Sequence, residues 1–150
     1  MNNAMQENKL YSLLTYAGAL PFFLCALLPF AGLVEWENVG SFEYIARLYG
    51  LAIASFVAGS HWGMYLYNRE SSPSNLFLTS NAVVLAAWSA FLFTIPVLTE
   101  FVLLLAFLYL LFVDYNLYKA GVTTPYYFRM RLNVTLIVCV SIVVIIYHLA

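Results

Sequence analysis

The side chains best able to do chemistry in this chain lie inside apolar segments: His61, Asn81, Asp114, Arg129, Arg131 and Asn133. An ionisable group in hydrocarbon is costly, so it faces a bundle interior or a water cavity and finds a partner there. Asp114 is therefore expected to pair with Arg131 or Arg129, whose guanidinium fork can bond a carboxylate bidentately. His61 can then bond Asp114, Asn81 or a tyrosine hydroxyl. By the three–four–seven spacing of a helix face, His61 shares its side with Ala54, Ala58, Tyr65 and Asn68. Trp62 follows it directly.

Two readings of this set stand side by side. His61, Trp62, Tyr65, Asn81, Asp114, Arg129, Arg131 and Asn133 can line a polar pocket open to the cytoplasm, able to bind a small anion or headgroup or to relay protons. The same residues can instead form an internal network that locks the bundle. Measured from the cytoplasmic ends of their helices at 1.5 Å per residue, they fall within roughly the first 12 Å, so four helices contribute polar groups to one slab.

Other chemistries find little support. The chain has two histidines, and His148 lies at the far end of its segment from His61, so a bis-histidine haem within one copy is excluded and no cofactor is expected. Cys25 and Cys139 stand alone in apolar runs and behave as small hydrophobes; no Cys/His spacing suits a metal. No GxSxG, HExxH or glycine-rich phosphate loop is present. Ser60 is rotated about 100° from its neighbour His61 on a helix, so it is not placed as a nucleophile beside its base. No catalytic residue is assigned, and the chain is expected not to be an enzyme.

The elements that must position these groups follow from composition. Of 150 residues, 64% are hydrophobic and only 9% charged, against about 25% charged in soluble domains. A bilayer span needs about 20 apolar residues, which excludes a soluble enzyme and a separate extramembrane domain; the net charge of −1 gives no reason to expect nucleic acid. The apolar runs are continuous rather than alternating, so an outer-membrane barrel is excluded too. The expected fold is all-α: a polytopic bundle of five transmembrane helices at about 10–33, 44–67, 76–95, 97–118 and 128–149, forming a single membrane domain. Pro21 should kink the first of them or break its hydrogen-bond ladder, and 35–41 reads as a polar loop with Trp36 at the interface.

Lys9, Arg69, Lys119, Arg129 and Arg131 fall on one side of this topology, while Glu35, Glu37, Glu43 and Glu100 fall on the other with Arg47. The excess of basic residues in short loops marks the cytoplasmic or matrix side. The N-terminus is thus expected inside and the C-terminus on the opposite face. In the second helix Ser55, Gly59 and Gly63 form a small-xxx-small stripe that lets another helix approach closely, within the bundle or across a self-association interface.

At this point the motifs resemble a known family. Phe56-Val57-Ala58-Gly59-Ser60-His61-Trp62-Gly63 is similar to the Gly-x-His-Trp-Gly signature of the transmembrane protein 69 family, and Pro125-Tyr126-Tyr127-Phe128-Arg129-Met130-Arg131-Leu132-Asn133-Val134-Thr135 to its second signature. Tyr126 stands where an aromatic residue, often Trp, is expected; Pro21-Phe22 and Asp114 also fall in place. The resemblance covers about residues 13–144. It implies a small multi-pass protein of bacterial inner membranes, or of the mitochondrial inner membrane in a eukaryote, and it highlights His61, Trp62, Asp114 and Arg131 without naming a reaction. The resulting expectation is a non-enzymatic accessory or assembly component of a larger membrane complex, with a homo-oligomeric transporter or proton-coupled carrier as the alternative.

Overall fold

A computed structural model describes residues 2–93 and 95–149, with side chains from residue 9 onward. Its order is α1 (Asn2–Ala17), α2 (Leu20–Leu27), a 3₁₀ turn (Leu28–Ala31), β1 (Glu35–Trp36), β2 (Gly40–Ser41), α3 (Phe42–Tyr67), a 3₁₀ turn (Arg69–Ser71), α4 (Leu76–Leu92), α5 (Pro96–Lys119) and α6 (Pro125–Leu149). Three stretches are long and apolar enough to cross a membrane: Lys9–Ala31, Pro96–Lys119 and Pro125–Leu149. The all-α, membrane-embedded architecture read from the sequence is present, as five helical passes with the first one broken.

The break itself was expected, but it lies ahead of the proline. The interruption falls at Gly18–Ala19, and Pro21 instead occupies the first turn of α2, where its missing N–H is no loss. In lipid every backbone polar group needs a partner. The Gly18 carbonyl, released by the break, accepts from the Tyr49 hydroxyl at 3.0 Å. Tyr49→Phe is expected to lower stability by about 1 kcal/mol, read as a shift in the thermal unfolding of the detergent-purified protein; an unchanged midpoint would show that the carbonyl needs no side-chain partner.

The other boundaries move by a few residues, each for a local reason. The segment 35–41 is not a plain loop: β1 and β2 pair antiparallel, Glu35 with Ser41 and Trp36 with Gly40. Asn38 and Gly40 supply its positive φ values of 65° and 128°. Ser41 then caps α3 by accepting from the Tyr44 N–H, and Asn75 caps α4 through Leu78 N–H. Helix α4 ends at Leu92, short of residue 95. Pro96 and Pro125 each open a helix, so α6 begins three residues before the expected 128 and carries its arginines a turn deeper.

Helix α3 packs against α2, α4 and α5, and α5 against α3, α4 and α6. The stripe that permits this on α3 is Ala46, Gly50, Ala54 and Ala58, all buried. A methyl group at Gly50 would stand 2.9 Å from Leu103 Cδ1. The stripe expected to pack, Ser55, Gly59 and Gly63, lies on another face: a methyl group at Gly59 or Gly63 would meet nothing within 4 Å. The main core joins Phe22, Val57, Leu103, Phe107, Leu110, Val138 and Ile142. One end of the bundle is closed by Tyr65, Leu76, Val113 and Leu117, the other by Cys25, Ala26, Phe42 and Ile145.

Candidate functional site

Three of the residues singled out in the sequence meet around one carboxylate. Asp114 sits on the buried face of α5 with none of its surface exposed. Its Oδ2 accepts from Arg131 Nε of α6 at 2.8 Å. Its Oδ1 lies 2.9 Å from His61 Nε2 of α3 and also accepts from the Tyr127 hydroxyl at 3.3 Å. His61 is 1% exposed and Arg131 9%. Among the described residues, both ion pairs belong to Asp114.

The local sequence explains the meeting. His61 continues the Ala54–Ala58 stripe one turn onward, so the small residues that bring α3 against its neighbours also deliver the imidazole. Tyr127 and Arg131 are four apart on α6 and share its inward face. Together α3 and α6 give the carboxylate of α5 a guanidinium N–H, a phenol O–H and an imidazole nitrogen. Arg131 neutralises Asp114, so with His61 neutral the cluster carries no net charge. A histidine held against a carboxylate can exchange a proton, and the cluster as a whole can fix three helices in register.

The remaining members of the expected pocket lie elsewhere. Arg129 is exposed and forms no ion pair with Asp114: it stands two residues from Arg131, about 200° round the helix. Asn81 is exposed on α4 and donates to its own helix at Phe77 O. Asn133 is exposed too, and donates to the Tyr16 hydroxyl. Trp62 is 43% exposed and leans on Phe77, ring centres 4.8 Å apart. Tyr65 is buried one turn beyond His61, against the same Phe77. Which of these residues face one another was not legible in the sequence.

His148 lies at the opposite end, 3.3 Å from Ala26 O, far from His61 as expected. Among the described residues no three His, Cys, Asp or Glu side chains converge as metal ligands would. Cys25 and Cys139 are buried, free thiols.

Two polar groups counted in the sequence only for their side of the topology are buried. Glu100 is 1% exposed on α5, and its Oε1 has no hydrogen-bond partner among the described residues. Arg47, on α3, likewise has a buried Nη1 without one. The signal for Glu100 was its spacing: Glu100, Leu103, Phe107, Leu110 and Asp114 recur at three and four residues, which places both carboxylates on one face of α5. They are about 21 Å apart along the axis.

Two recesses flank the cluster. A groove of about 320 Å³ runs between α3 and α4, lined by Ser55, Ala58, Gly59, Trp62, Ser80, Asn81 and Val84. A cavity of about 480 Å³ lies between α1, α3, α5 and α6, with Arg131 and Tyr127 in its wall.

No curated protein and no solved structure matches the chain. A family profile does, over residues 8–147: the chain belongs to the family described as Protein of unknown function (DUF3429).

Proposed function

We propose that this protein is a non-enzymatic accessory or assembly component of a larger membrane complex, docking a partner helix against the α3–α4 face. The observation that carries this reading is the stripe of Gly59 and Gly63, where an added Cβ meets nothing within 4 Å among the described residues. It lies beside the groove that contains Ser55 and Asn81. Small residues let helix backbones approach closely in lipid, and an amide beside them supplies an interhelical hydrogen bond. The likeness to the transmembrane protein 69 family supports a bacterial inner-membrane or mitochondrial setting. The basic residues at Lys9, Arg69, Lys119 and Arg129 support a cytoplasmic or matrix N-terminus and a C-terminus across the membrane.

The carrier reading draws on the buried His61–Asp114 pair. Against it stands the apolar face of α5 between its two carboxylates, where Leu103, Phe107 and Leu110 are each at most 3% exposed.

The test is the native mass of tagged protein extracted gently from its own membrane. Wild type is expected in a large assembly with other chains. Gly59→Leu and Gly63→Leu are expected to migrate alone with unchanged thermal stability, since a Cβ at either position meets nothing within 4 Å among the described residues. Migration of wild type as a monomer or small homo-oligomer would sink the accessory reading and send the question to flux assays.

A further inference from the structure

The cavity beside the cluster has the make-up of a ligand site rather than of a packing flaw. Its volume of about 480 Å³ falls within the roughly 300–1,000 Å³ of small-molecule pockets, which are mostly apolar with a few placed polar groups. Val57, Phe107, Val134 and Val138 give it apolar walls, and Arg131 and Tyr127 stand at one end. Arg131 uses Nε on Asp114, while its Nη2 is buried without a partner among the described residues. Arg131 stands in the cavity wall and keeps 9% of its surface accessible, so an acceptor arriving in the cavity meets the accessible part of a charged donor.

The entrance identifies where such a molecule comes from. Leu14 and Phe56 line the cavity and are 63% and 76% exposed, so it opens sideways, toward lipid, between α1 and α3. The length suits a chain: from Tyr127 to Val138 is eleven residues of α6, about 16 Å. The charge sets the head group. Arg131 is already neutralised by Asp114, so the site offers a hydrogen-bond donor without surplus positive charge, and a carboxylate or phosphate would enter as an unbalanced buried anion.

We infer that this cavity binds a single-chain membrane amphiphile, its apolar tail lying along α6 and an uncharged carbonyl oxygen accepting from Arg131. This site is separate from the α3–α4 face and does not depend on the docking role assigned there.

The experiment uses full-length protein in nanodiscs, titrated with monoolein (an uncharged ester), palmitate (a carboxylate) and hexadecane (no head), with bound ligand counted by native mass spectrometry. Monoolein is expected to bind one per chain, at least tenfold more tightly than hexadecane or palmitate. Thr15→Phe, which fills the cavity from the lightly packed α1, should reduce monoolein binding at least tenfold without unfolding the protein. Ser60→Phe should do the same from the α3 wall, so the test survives the failure of either variant to fold. Equal binding of monoolein to wild type and filled variants would place the lipid on the outer surface and overturn the proposal. Tighter binding of palmitate would overturn the uncharged head, and no binding of any probe would overturn the site.

Discussion

Replacing Asp114 with alanine is expected to destabilise the protein by about 3 kcal/mol or more, because it leaves Arg131 charged and buried without its counter-ion. Asp114 loses no surface to solvent and holds Arg131, Tyr127 and His61. Its removal therefore strips partners from two other helices at once. Asp114→Asn should fall in between, since the amide keeps the shape but not the charge. The informative comparison is the double replacement, Asp114→Leu with Arg131→Met. If the pair serves only to hold the bundle, apolar residues of similar size should restore most of the lost stability, measured by thermal unfolding in the same detergent. His61→Ala separates structure from activity. Were the cluster a working site, that variant would stay folded and lose function; loss of the folded protein would mark a network.

Gly50→Leu is expected to disrupt the bundle from its centre, lowering stability by about 1–3 kcal/mol or preventing assembly of the fold altogether. A Cβ there already crowds Leu103 at 2.9 Å and Phe22 at 3.4 Å, and a full leucine has no space to enter between α2, α3 and α5. Gly50→Ala should be much milder, because the atom it meets first is the tip of a flexible leucine. Gly59→Leu, nine residues along the same helix, is the matched control. A chain in which the Gly59 change unfolds the protein and the Gly50 change does not would invert the assignment of the two faces of α3.

The sequence by itself determined the membrane setting and the helical segments, because these follow from hydropathy and from the length of each apolar run. It also carried the pairing of Asp114 with an arginine, since a buried carboxylate must be neutralised. Which arginine, and which other polar residues join it, was decided only by tertiary structure. Rotation about a helix axis costs nothing in a hydropathy count, and among nearly uniform apolar helices the polar pattern alone sets the inward face weakly. Arg131 and Arg129 are two residues apart and face opposite ways; Asn81 and Asn133 share the depth of the cluster but look outward. The same rotational ambiguity hid the packing role of Ala46, Gly50, Ala54 and Ala58 behind the more conspicuous glycines at 59 and 63. Glu100 counted in the sequence only as a charge on one side of the topology, yet α5 starts at Pro96 and its second turn carries the glutamate inside. Local chemistry specified which segments are helices, and only the packing of those helices against one another decided which of their side chains meet.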